Sequence, residues 1–290
     1  MGKVITIANQ KGGVGKTITA TSMAAILTEK GYKILNISLD PQRNFDMIAG
    51  KDIPIKRMDV KTLSMLHVMR GSCTISEAIV PTGIGDLARA SSQLYQWSGE
   101  QIIAKEEYIP IRDDLGKLQE LLDMRVLHGE DNTAVLAERL APVKDSYDYI
   151  LIDTNPSLTL LTLNSLFAAD YVVIPAFSEE SSVTAITELW DTIQVMNYIN
   201  KWHKIKVLGI LMTKCNIRTT PYKHYEDLFK LLAERMGTRL FATRIRQSTR
   251  ATDCMEYNRT LIEHDPKGPT TADYREFIDE FEKIMKEEVD

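Results

Sequence analysis

Residues 4–8 form a short β-branched apolar run; glycines follow, and from 17 to about 30 the apolar positions return at helical spacing. The pattern predicts a strand, a loop and a helix. Strand-like runs recur at 33–38, 149–153, 171–175 and 207–213, each separated by helix-length segments. That alternation predicts parallel strands joined by right-handed helical crossovers, and so an α/β fold with a mostly parallel, doubly wound sheet flanked by helices. The whole chain, 1–290, reads as a single domain. Between 51 and 145 the pattern is less regular; helices are expected near 64–70 and within 112–140, as peripheral elaboration on the sheet.

Residues 271–290 place Tyr274, Phe277, Ile278, Phe281, Ile284 and Met285 at helical spacing, with acidic residues on the other face. An acidic face is repelled by anionic lipid, so this helix is expected to dock on the core and no membrane partner is expected. No stretch approaches the roughly 18 to 20 apolar residues of a membrane helix. The opening MGKVITIANQ carries no signal-peptide pattern, so a soluble, cytoplasmic protein is expected.

The 290 residues carry a net charge of −5, unevenly placed. Residues 201–250 hold 12 Lys/Arg against 3 Asp/Glu, a net +9, which leaves −14 on the remainder. A local basic face on an acidic protein is the expectation. Cys73, Cys215 and Cys254 are far apart and form no C-x-x-C pair, which speaks against a disulfide framework, a zinc site or an iron–sulfur site.

The candidate chemistry begins at K-G-G-V-G-K-T, residues 11–17, placed where the first strand ends and the first helix starts. Glycines let backbone N–H groups approach phosphate oxygens, and a helix N-terminus adds a favourable dipole. Lys16 would reach the β- and γ-phosphates and the Thr17 hydroxyl would ligate Mg²⁺. Gly12, Gly13, Val14, Gly15 and Ile18 complete the expected nucleotide-binding loop.

With Lys11 at its head, the loop resembles the deviant Walker A motif of the ParA/MinD group of P-loop ATPases, and most of the chain resembles ParA-type DNA-partition ATPases. The resemblance implies ATP as the nucleotide and Lys11 as a residue that reaches the partner subunit's phosphates in an ATP-dependent homodimer. Residues 34–42 end in Asp40-Pro41-Gln42 and resemble the family's D-x-D-P-Q switch segment; Asp40 is then expected to position the attacking water and the metal's shell. The first aspartate of that segment is replaced by Ser38. Residues 149–158 look like Walker B with the second switch, which makes Asp153 a magnesium-site residue. Asn155 and Ile18 depart from the family pattern. The segment 208–216 matches the strand whose end lies near the base, and brings Thr213 to the nucleotide.

Two segments of the basic stretch resemble the family's DNA contacts. They make Arg218 and Arg250 the main candidates for phosphate-backbone binding, with Arg246, Lys214 and Lys223 behind them. The resemblance implies non-specific double-stranded DNA as one partner and a ParB-like centromere-binding protein, which stimulates slow hydrolysis, as another. A MinD-like or other cargo-positioning ATPase shares the same nucleotide site and is the alternative. Residues 106–142 look longer than in compact relatives.

Overall fold

The apolar runs become a sheet buried on both faces. The computed structural model describes residues 2–50, 63–91, 133–200, 203–217 and 219–288. Its strands are β1 (Lys3–Ile7), β2 (Ile34–Ser38), β3 (Ile79–Thr82), β4 (Gly85–Ala88), β5 (Tyr149–Asp153), β6 (Tyr171–Phe177) and β7 (Lys206–Thr213). They pair in the order β3-β4-β2-β5-β1-β6-β7, with every neighbouring pair parallel except β3 with β4. Central strands such as β5, YILID, are buried at every position, which is why they read as continuous apolar runs without alternation.

Successive side chains of a strand point to opposite faces, and the core divides accordingly. Ile5, Ile7, Leu151, Val173 and Leu211 pack with the helices Lys16–Glu29 and Pro269–Glu287 on one face. Val4, Ile150, Ile152, Val172, Ile174 and Met212 pack on the other, against helices that include Leu160–Ala168, Glu180–Ile199 and Thr220–Arg235. The expected docking of the last helix is observed: Tyr274, Phe277, Ile278, Phe281, Ile284 and Met285 are all buried. Among the described residues no helix is long and apolar enough to cross a membrane.

The stretch between 51 and 145 holds more than peripheral helices. Helices Met65–Arg70 and Val135–Leu140 fall where helices were expected, but β3 and β4 also extend the main sheet beyond β2. The side chain of Asn36 fastens this edge by donating to the Ile84 and Asp86 carbonyls at 2.9 and 3.1 Å. The remainder of the expected helical region, 112–132, lies outside the described residues.

Beyond β7 the chain returns along its outer edge without forming a named strand. Ile210 donates to the Arg239 carbonyl at 2.9 Å, Phe241 to Ile210 at 3.0 Å, and Ile245 to Met212 at 3.0 Å. A Cβ at Gly209 would lie 2.7 Å from the Phe241 ring, so only glycine admits this close approach. This return carries residues 244–250 to the same end of the sheet as the glycine-rich loop.

Candidate nucleotide site and adjoining basic surface

Loop 9–15 leaves β1 at the centre of the sheet, where the crossovers change direction between β5 and β6, a position at which open α/β sheets bind ligands. Gly13 and Gly15 adopt φ of 73° and 90°, the left-handed region that a Cβ disfavours. Asn9 holds the loop's entrance, donating to the Pro175 carbonyl at 2.7 Å and accepting the Lys11 amide at 2.9 Å. The Thr213 hydroxyl holds its crown, donating to the carbonyls of Val14 at 2.8 Å and Ala176 at 3.2 Å. Thr213 is therefore at the site, with its hydroxyl engaged in bracing the loop. Ile18 packs its side chain against the core behind the loop.

Lys16 opens the first helix, buried, with Nζ donating to the Asn9 and Lys11 carbonyls at 3.0 and 2.9 Å. Burial drives its pKa down to about 8 against the opposing pull of Asp153 and Asp40. The Thr17 hydroxyl donates to Asp153 Oδ2 at 3.0 Å, which joins the loop to the end of β5. Asp153 is fully buried and its other oxygen, Oδ1, has no hydrogen-bond partner. Burial pushes its carboxyl up to about 7 despite the Thr17 hydroxyl. Buried polar atoms are rarely left unpaired. An orphaned carboxylate oxygen beside a hydroxyl, a lysine and left-handed glycines fits a magnesium–phosphate group, because Mg²⁺ is typically held through one or two carboxylates, water and substrate phosphate.

Asp40 is buried at the start of the turn after β2, where its Oδ1 accepts the Gln42 amide and its carbonyl the Arg43 amide, both at 2.9 Å. Lys11 extends from the loop to Glu179 and Ser181, at the start of the helix Glu180–Ile199, and contacts both. The Ser181 hydroxyl donates to Glu179 at 2.7 Å. Gly12 and Gly13 are exposed, with no atom within 4 Å of the place a Cβ would take, so this side of the loop is open. Asn9 and Glu179 were not singled out in the sequence. The one signal for Asn9 is its place two residues before the K-G-G-V-G-K-T run; nothing local points to Glu179.

The predicted basic residues come together only in part. Cys215 donates to the Ile245 carbonyl at 2.9 Å and Gln247 to the Cys215 carbonyl at 3.0 Å, so the chain after β7 and the segment 245–250 are zipped side by side. Lys214, exposed at φ 51°, lies within electrostatic reach of Lys11. Arg250 is exposed on the first turn of the helix Thr249–Glu256, and Lys223 is exposed on the helix Thr220–Arg235. Arg246 is committed inward on one side: its amide, Nε and Nη2 donate to the Asp273 carboxylate at 2.9, 2.7 and 2.6 Å. Arg218 lies outside the described residues.

Residues 2–205 match the sequence profile of a family described as an AAA domain. The chain is 30% identical to the chromosome partitioning protein ParA of Myxococcus xanthus, covering 94% of this chain and 86% of that protein. It is 28% identical to the sporulation initiation inhibitor protein Soj of Bacillus subtilis, covering 92% and 93%. Among solved structures, cobyrinic acid a,c-diamide synthase of Mycobacterium smegmatis, with a bound ATP analogue and magnesium, superposes with a TM-score of 0.70 at 28% identity, covering 96% of this chain and 93% of that one. The named tasks of these proteins differ, so what they share is the nucleotide-binding fold, and the task of this chain must come from its own second surface.

Proposed function

We propose, since the chain belongs to the ParA-type family of P-loop ATPases, that it is a DNA-partition ATPase whose ATP-bound dimer holds non-specific duplex DNA and whose slow hydrolysis releases it. In this reading Lys16 and the amides of 12–17 hold the ATP phosphates, Thr17 and Asp153 hold Mg²⁺, and Asp40 orients the attacking water. Bound Mg²⁺ would neutralise charge developing on the transferred phosphate. Lys11 exchanges its contacts with Glu179 and Ser181 for the partner subunit's phosphates. Lys214 and Arg250, with Arg218 and Lys223, contact the DNA backbone, and Arg246 holds their surface in shape through Asp273. A ParB-like partner accelerates hydrolysis.

The observation that carries the proposal is the pair of main-chain bonds joining Cys215 to Ile245 and Gln247. They make one surface of two basic segments and set it beside the loop that carries Lys11. Dimerisation doubles that footprint, so a surface too weak alone becomes sufficient in pairs. The membrane alternative has less to work with: the apolar face of the last helix is already buried in the core.

Fluorescence anisotropy of a labelled duplex of arbitrary sequence tests the reading, with ATP, ADP or no nucleotide. Binding in ATP alone is expected. Equal binding in all three states, or none in any, would refute the coupling.

A further inference from the structure

Asp46 is a buried carboxylate to which the site as described gives no task. It sits on the short helix Asn44–Ala49, directly after the Asp40 turn, and is 0% exposed. Its surroundings come from three elements. Arg43 Nε approaches Oδ2 at 3.4 Å, the Ala90 amide beyond β4 approaches Oδ1 at 3.4 Å, and the Ser38 hydroxyl at the end of β2 lies near the carboxylate without a well-formed hydrogen bond to it. Among the described residues, Arg89 and Asp153 are also within electrostatic reach. Contacts this long compensate a buried charge poorly, and burial drives the carboxyl up to about 7 against the groups that favour its ionised form. A carboxylate in such a setting destabilises the fold, and groups of that kind gather at functional sites.

Its position supplies the reason. Ser38 and Asp153 are register partners at the ends of β2 and β5, so the residue beside the magnesium-site carboxylate is a hydroxyl, and the carboxyl group behind that hydroxyl is that of Asp46. The same carboxylate lies 3.4 Å from Arg43 Nε, and the Arg43 amide closes the Asp40 turn while its carbonyl accepts the Met47 amide at 3.0 Å. We propose that Asp46 is a positioning residue for ATP hydrolysis, which fixes the Asp40 turn against the edge of the sheet and sets a carboxyl group behind Ser38, the register partner of Asp153. The inference rests on the ATPase reading above and adds to it a residue that touches neither nucleotide nor metal.

The test compares steady-state hydrolysis by the full chain and by Asp46→Ser, Asp46→Asn, the exchange variant Ser38→Asp with Asp46→Ser, and Lys16→Ala as a control. For Asp46→Ser we expect kcat to fall by about 10- to 100-fold, the scale of a misplaced catalytic group, with KM changed by less than about threefold. The exchange variant, which places the carboxylate on the strand instead, should recover most of that loss; a purely structural role for Asp46 predicts no such rescue. Asp46→Asn keeps volume and the acceptor for Ala90, and serves if Asp46→Ser does not fold; it too should lower kcat with KM little changed. Native kcat in either folded Asp46 variant, or failure of the folded exchange variant to recover activity, would overturn the inference. If Lys16→Ala hydrolyses ATP as fast as the native chain, the ATPase reading itself falls and takes this inference with it; loss in Lys16→Ala with native activity in Asp46→Ser removes the inference alone.

Discussion

The glycine-rich loop and the basic segment 244–250 lie at the same end of the sheet, yet they are built on opposite plans. At the loop, the side chains that would handle phosphate and its metal are buried before any ligand arrives: burial works against the charged forms of Lys16 and Asp153, and Asp153 keeps an oxygen without a partner. In the basic segment, partners are found and the remainder is left to solvent. Arg244 donates to Glu226 at 2.8 Å and Arg246 to Asp273, while Lys214 and Arg250 are exposed and, among the described residues, form no salt bridge. A site that stores unfavourable burial is arranged for one ligand in one geometry. A surface of exposed cations suits a repeating polyanion with no particular sequence.

The largest effect is expected at Lys16. Lys16→Ala should reduce ATP hydrolysis by about a hundredfold or more, the scale of removing a preorganised charge from a developing one, and steady-state rates check it. Lys11→Ala should leave nucleotide binding to the monomer nearly intact and abolish the ATP-dependent dimer, which sedimentation velocity with ATP and with ADP would show. If Lys11→Ala still dimerises, the proposed exchange from Glu179 to the partner subunit is wrong.

A smaller effect of opposite sign is expected at Asp153. Its folded-state pKa is raised above the ordinary carboxylate value, so the native state binds the proton more tightly than the unfolded chain. Stability from this group is therefore fully present below about pH 4 and lost progressively as pH rises through about 7. Asp153→Asn should accordingly stabilise the nucleotide-free protein at pH 8, by on the order of 1 to 3 kcal/mol given about 1.4 kcal/mol per pKa unit and incomplete relaxation. The gain should shrink as pH falls, to about a third near pH 5, and vanish near pH 4. Thermal melts at both pH values decide the sign, and the variant should lose its response to Mg²⁺.

Much of this was legible in the sequence, for physical reasons that also explain the omissions. The strands β1, β2, β5, β6 and β7 are buried on both faces and announce themselves as apolar runs, and the glycine-rich motif is local in sequence, so its loop could be read directly. The strands β3 and β4 are four residues each and contain Pro81, Gly85 and Asp86, which mask a strand signal; Pro81 is tolerated because β3 is an edge. Asp46 and Glu179 became visible only through folding, which brings Asp46 against Ser38 and Ala90 and Glu179 against Lys11. Arg246 shows the same limit from the other side: its charge is plain in the sequence, but its pairing with Asp273, 27 residues later, is a tertiary fact.

The central claim is that the exposed cations beside the nucleotide loop hold DNA when ATP is bound. The most direct measurement is the salt dependence of duplex binding in ATP for the native chain and for Lys214→Ala with Arg250→Ala. The account predicts a steep native slope and, in the double variant, weaker binding with a slope shallower by about 0.9 for each phosphate contact removed. Unchanged affinity and slope in a double variant that still dimerises with ATP would contradict it.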